Sequence, residues 1–399
     1  MASSITWGLR LLAGLCSEVP GARRQSSPDI YHYDLPHFSS FAFSLYRELA
    51  RQSNNKIIFS PVSIAIAFAM FSLGNKDDTY TQILKGIGFK FKKAPKADIY
   101  KGLGSLLDTL KQPNNQFQLT TSTMLIIDKN LKQKPEFLYN VKKLYHSKAL
   151  SINFRNIKEV KKEINRQIKI RTQGIIVDLV KELDEDTALA LVNYIIFEGK
   201  GKDKFKAQRF LTGDFHVNEK ITVKAPFHLY RDNEFSCWVL VQHYQGRMAA
   251  FLLLPNMGKM QLLEDGLSEN PLCSNHFDRF VNLHLPKLSI SGTYDLKTVL
   301  GKLGITRSSA TGSRSGLGKG AACLCLKQVS VLSPLQAIHE AVMSINENGT
   351  EHAGATLSEE SAWSEHLTIN FNMPFLIIIK DENTNIPLFM GKVVNPMQK

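Results

Sequence analysis

Cysteine is scarce in this chain. The five present, Cys16, Cys237, Cys273, Cys323 and Cys325, have neither the spacing of a metal site nor the regularity of a disulfide framework. Covalent staples and a structural metal are therefore not expected to organise the fold. Long apolar runs are lacking too: after the N-terminus the longest, Val62 to Leu73, falls short of the ~18–20 residues that cross a bilayer, so no membrane span is expected. The common catalytic signatures are missing. There is no G-x-S-x-G, and His339-Glu340 is followed by Met343 where a zinc-protease helix needs a second histidine. "SGLGKGA" has a phosphate-loop flavour only, because Ser313 stands where that loop needs glycine and Gly320 where it needs Ser or Thr. Neither catalysis nor a cofactor is expected. Acidic residues are outnumbered, 36 against 49 Lys and Arg, for a formal net charge of +13. Such a balance attracts polyanions without fixing a fold; a solvated basic surface is the plainer reading, and no nucleic-acid partner is expected.

What is present is ordinary globular material, 43% hydrophobic and 21% charged over 399 residues. Residues 1–22, "MASSITWGLRLLAGLCSEVPGA", have the form of a secretory leader with a small-residue exit near Ala22, although Arg10 and Glu18 crowd its apolar stretch. Secretion to the extracellular space is expected, with retention in the endoplasmic reticulum as the alternative. In "HFSSFAFSLYRELA", Phe38, Phe41, Leu45 and Leu49 mark one face of a helix. In "SPVSIAIAFAMFSLG", Ser60 suits a cap, Pro61 a first turn and Gly74 an exit, and the all-round apolar surface predicts a buried helix. A third, Lys-rich helical region is read around 129–172. Strand-like runs then dominate: "LALVNYIIF", "SCWVLVQHY", "MAAFLLLP", "VNLHLPKLSI", "LTINFN", "PFLIIIKD" and "PLFMGKVVNP". Helices first and strands later predict an α+β fold in one large domain.

One stretch resists this scheme. Asn346 to His366, "NENGTEHAGATLSEESAWSEH", carries no Ile, Val or Phe, yet lies between the strongly apolar "QAIHEAVMSI" and "LTINFNMPFLIII". Loops of this length in a compact domain are uncommon and tend to be functional or disordered. Its first half is small and could enter a sheet; its second half holds Trp363, a side chain that ordinarily anchors a core or an interface.

Four spaced motifs, "NKIIFSPVSIAIAFAMFSLG", "LVNYIIFEGK", "ENGTEHAGA" and "FNMPFLIIIKDENTNIPLFMGKVVNP", occur in an order that resembles the serpins. The resemblance implies a single serpin domain over residues 38–399, after an N-terminal extension at 23–37. It implies three sheets, about nine helices and an exposed reactive loop at about 347–370. In that family a serine protease attacks the loop, whose N-terminal half enters the main sheet before the acyl-enzyme hydrolyses. Counting from the hinge places the scissile bond at Trp363-Ser364, a bait whose bulk suits the deep apolar pocket of chymotrypsin-like proteases. The expected function is inhibition of such proteases by a monomer that forms a covalent complex. The alternatives are a non-inhibitory carrier of a small ligand and a poorly folding chain retained in the secretory pathway.

The resemblance assigns mechanical roles as well. Glu347, Gly349, Thr350, Glu351, His352, Ala353, Gly354 and Ala355 correspond to the hinge and the small segment behind it. Ser60, Ser63, Asn193 and His339 match the shutter, whose hydrogen bonds hold the central strands together. Lys287 and Glu347 match a salt bridge at the breach above them, where Gly201 replaces the family's tryptophan, a loss of packing of a kind that costs about 3–5 kcal/mol in a core. His352 stands where a small side chain would turn inward on insertion. A hairpin segment is missing between "TVKAP" and "FHLYRD", and the stretch 307–335, where the fifth strand of the main sheet should begin, bears no likeness to the family. Lys92, Lys93 and Lys96, in a run with Phe89 and Phe91 interleaved, fall where some relatives bind heparin, a glycosaminoglycan. Asn348 in Asn348-Gly349-Thr350 is a glycosylation candidate.

Overall fold

The computed structural model describes residues 36–52, 55–74, 77–88, 96–113, 117–131, 135–183, 187, 189–199, 220–232, 236–244, 248–267, 277–286, 288–302, 335–345, 367–382 and 384–394. All of them fall within one compact unit, Tyr33–Lys399.

The helices begin as the sequence predicts. α1 (Pro36–Gln52) buries Phe38, Phe41, Leu45 and Leu49. After β1 (Ile57–Phe59), Ser60 caps α2 (Pro61–Ser72) by accepting a hydrogen bond from the Ser63 amide at 3.2 Å. Every residue of α2 is buried, which explains why its apolar surface has no polar side. α3 (Asp77–Gly86) and α4 (Lys96–Leu110) follow. The strand β2 (Phe117–Asp128) then leads into α5 (Pro135–Tyr145), β3 (Lys148–Ile152) and α6 (Ile157–Arg171). The Lys-rich region read as helical around 129–172 is thus two helices with a strand between them. The difference has a physical source: β3 takes its extended form by pairing in parallel along the edge of β2, a non-local influence that helical periodicity does not register.

The remaining strands are β4 (Leu189–Gly199), β5 (Lys220–Asp232), β6 (Cys237–Tyr244) and β7 (Met248–Pro255), then β8 (Phe277–Pro286) and β9 (Leu288–Asp295) beyond α7 (Met260–Gly266). After α8 (Leu296–Lys302) come β10 (Leu335–Ile345), β11 (Leu367–Asn370), β12 (Phe375–Asp381) and β13 (Pro387–Val393). The run "VNLHLPKLSI" spans the end of β8 and the start of β9, which belong to different sheets. The last residues of the expected 347–370 loop form β11, paired in parallel with β8.

Two sheets result. One has the order β1-β13-β12-β7-β6-β5-β8-β11 and the other β3-β2-β4-β10-β9. β5 contains both "TVKAP" and "FHLYR", the two sides of the missing hairpin, in one strand; residues 220–229 pair with β8 and residues 228–232 with β6. β5 thereby joins the two groups of strands in one sheet. The five-stranded sheet separates two apolar layers. Odd-numbered residues of β10 such as Leu335 and Met343 join the large core with α1 to α4. Even-numbered ones such as Ile338 and Val342 face a smaller core under α6 and the segment after it.

Candidate functional site

At the centre of the five-stranded sheet, β10 runs parallel to β4, with His339 opposite Asn193. Both side chains point into the apolar layer beneath α2, between Ala337 and Ala341 on one strand and Leu191 and Ile195 on the other. Polar groups at such depth must find partners, and these do. The His339 Nε2 accepts from the Ser60 amide at 3.1 Å, which leaves the proton on Nδ1, and Nδ1 donates to Asn193 Oδ1 at 2.6 Å. Ser63 Oγ donates to the same Oδ1 at 3.0 Å, and Asn193 Nδ2 donates to Thr123 Oγ1 at 2.9 Å. Thr121 Oγ1 lies 3.2 Å from Ser63 Oγ and donates to the Tyr194 carbonyl at 3.1 Å.

Asn193 is therefore the hub, joining β4 to β10, to β2 and to the first turn of α2. His339 is fully buried, and desolvation lowers its pKa to about 3, so the imidazole is neutral. The cluster contains no nucleophile beside a base aimed at open space. It is a clasp rather than an active centre, and it unites Ser60, Ser63, Asn193 and His339, the four that the family resemblance grouped. Thr121 and Thr123 were missed, although "TTST" at 120–123 puts hydroxyls on both faces of a strand otherwise rich in apolar residues.

On the opposite face, Glu340 sits beneath the segment after α6, where burial raises its pKa to about 7 against a weaker lowering by Lys181. That segment is tied down on two sides. Asn165 of α6 donates to the Val180 carbonyl and accepts from its amide, both at 2.9 Å, and Gln336 of β10 donates to the Glu182 carbonyl at 2.9 Å.

A second buried cluster was also missed. Glu264 of α7 accepts from Tyr46 at 2.7 Å and pairs with Lys392 of β13 at 2.8 Å. The signal was Lys392 itself, a lone charge within the apolar "FMGKVV".

The other predicted positions are not brought together here. Glu347, Asn348, Gly349, Thr350, Glu351, His352, Ala353, Gly354, Ala355, Trp363 and Ser364 lie outside the described residues. So do Gly201, Lys287, Lys92, Lys93, the leader at 1–22 and the cysteines other than buried Cys237. Lys96 opens α4. Among the described residues no cluster of His, Cys, Asp or Glu could hold a metal ion, and no helix is long and apolar enough to cross a membrane.

The family model "Serpin (serine protease inhibitor)" matches residues 37–396. The chain belongs to the serpin family. An alpha-1-antiproteinase of Ovis aries is 47% identical over the whole of both chains. Human glycosylated kallistatin superposes with a TM-score of 0.78 at 32% identity, covering 93% of this chain and 99% of its own. Human thyroxine-binding globulin in complex with thyroxine gives 0.76 at 32% identity, covering 92% and 99%. Antitrypsin-like relatives of this kind support protease inhibition rather than catalysis.

Proposed function

We propose that the protein is a suicide-substrate inhibitor of chymotrypsin-like serine proteases, presented on a secreted chain and cleaved at Trp363-Ser364. The observation that carries this reading is the parallel pairing of β4 and β10. Two parallel neighbours can part to admit a strand antiparallel to both, and a chain folding back after Ile345 runs in that direction. The pair is closed over Leu335–Ser344, so the space for insertion is unused.

The chemistry follows from ordinary acyl transfer. The protease serine attacks the Trp363 carbonyl, the peptide bond to Ser364 breaks, and Ser364 leaves with a protonated amine. Trp363 stays esterified to the protease while the segment before it enters the sheet. Mixing the protein with chymotrypsin is expected to give a complex that survives boiling in detergent, and Trp363→Arg is expected to transfer that reaction to trypsin. Clean cleavage with no complex from either protease counts against inhibition.

The likeness to thyroxine-binding globulin supports a second reading, a carrier of a small apolar ligand. Ligand-dependent heat stability in a chain that forms no protease complex identifies that case.

A further inference from the structure

The outer face of α6 and the turn that ends it have no role in the clasp. The inner face of α6 is spent on Val160, Ile164 and Ile168, all buried against the sheet. Outside, Lys158, Lys162, Arg166 and Lys169 are exposed. At 3.6 residues per turn and about 1.5 Å per residue they share an arc of about 80° along about 16 Å of helix. Arg155 extends the row before the N-cap. Arg166 is engaged by Glu163 at 2.6 and 2.8 Å. Lys158, Lys162 and Lys169 pair with no acidic side chain among the described residues. The carboxylates nearby are Glu159 on the helix and Asp178 and Glu182 on the returning segment.

An apolar cluster ends this row. Three of the seven most exposed large apolar side chains among the described residues belong to one turn: Ile170 at 61%, Ile175 at 45% and Val177 at 52%. Hydrogen bonds hold them outward. Gln173 adopts φ 53°, its amide donates to the Ile170 carbonyl at 3.3 Å, and the Gly174 amide donates to the Lys169 carbonyl at 2.8 Å. Thr172 Oγ1 then accepts from the Ile176 amide at 3.2 Å, burying Ile176 while its two neighbours face water. Aliphatic groups gathered in one exposed place mark a contact surface.

We propose that this face docks on an anionic lipid surface. Lys158, Lys162 and Lys169 lie against the headgroups, and Ile170, Ile175 and Val177 enter the boundary between headgroups and acyl chains. The lysines alone suit a sulfated polysaccharide equally well. The aliphatic turn decides between the two, because a polysaccharide gains nothing from it.

The full chain is expected to sediment with vesicles of phosphatidylcholine and phosphatidylserine and not with phosphatidylcholine alone. Replacing Lys158, Lys162 and Lys169 by Ser is expected to lower partitioning about a hundredfold. Replacing Ile170, Ile175 and Val177 by Ser is expected to lower it at least about tenfold while leaving elution from heparin resin unchanged. Ile175→Ser alone gives the same direction with the smallest change to the fold. Vesicle binding indifferent to the aliphatic residues, or heparin retention through the three lysines with no vesicle binding, overturns the proposal.

Discussion

His339 and Glu340 are neighbours in β10 whose side chains leave opposite faces of the sheet and titrate in opposite senses. The folded pKa of His339 is about 3 against an ordinary 6.5, so on acidification the unfolded chain takes up this proton first. Its contribution to stability is present above pH 6.5 and is lost as the pH falls from there towards 3. Glu340 is held at about 7 against an ordinary 4.5, so the folded chain keeps a proton that the unfolded chain releases. Its contribution is present below pH 4.5 and is lost as the pH rises from there to 7. Between 4.5 and 6.5 the two slopes oppose each other. Urea midpoints measured across that window are expected to rise with pH in Glu340→Gln, where His339 acts alone, and to fall in His339→Gln. Identical slopes in both variants and the parent would mean that neither group titrates as its burial implies. The Glu264 cluster belongs to this scale too. Removing one member of a buried pair typically costs about 3–5 kcal/mol because the other charge stays behind, and Lys392 would be that charge.

At the scale of elements, the segment after α6 covers the seam between β4 and β10, and Asn165 holds it with a matched donor and acceptor. Asn165→Ala leaves a buried amide and carbonyl without partners, a loss of about 1–3 kcal/mol. Amide exchange at residues 176–183 is expected to quicken, while exchange in β12 and β13 stays as before. Uniform quickening would show that the segment is not a separate cover. The same elements show what the sequence could reveal. Ser60, Pro61 and the stripe from Phe38 to Leu49 act within a few residues of themselves, so cap, start and buried face were legible. β3 was not, because its form comes from the edge of β2, and the passage from β8 to β9 in another sheet was hidden by a period of two that continues across Pro286. Of the clasp, the sequence by itself showed only Ser60, as a helix cap. Only the resemblance to a family put its members together, and even it omitted Thr121 and Thr123.

For the whole molecule, the five-stranded sheet holds two parallel pairs, β2–β3 at one edge and β4–β10 inside it, and at the inner one a further strand would create two antiparallel pairings. In the proposed mechanism, insertion after cleavage would exchange the β4–β10 ladder, which runs over Leu335–Ser344, for two ladders in the slightly stronger antiparallel arrangement. The gain of one full ladder is expected to raise the thermal midpoint by on the order of 10 °C or more relative to the intact chain. In the proposed mechanism insertion competes with hydrolysis of the ester at Trp363, so whatever slows entry of the hinge would move product from complex to free cleaved inhibitor. On the same proposal His352 is the residue that would oppose entry. An inward-turned imidazole must shed its water, and a buried polar group without a partner costs about 1–3 kcal/mol. His352→Ala is therefore expected to increase the share of chymotrypsin held as complex and to raise the midpoint of the cleaved chain further, with the intact chain unaffected. Calorimetry of intact and cleaved forms, with detergent gels of the reaction, checks both. A cleaved chain that melts with the intact one, in parent and His352→Ala alike, would mean that the seam does not open, and the carrier reading would then take the place of the inhibitor.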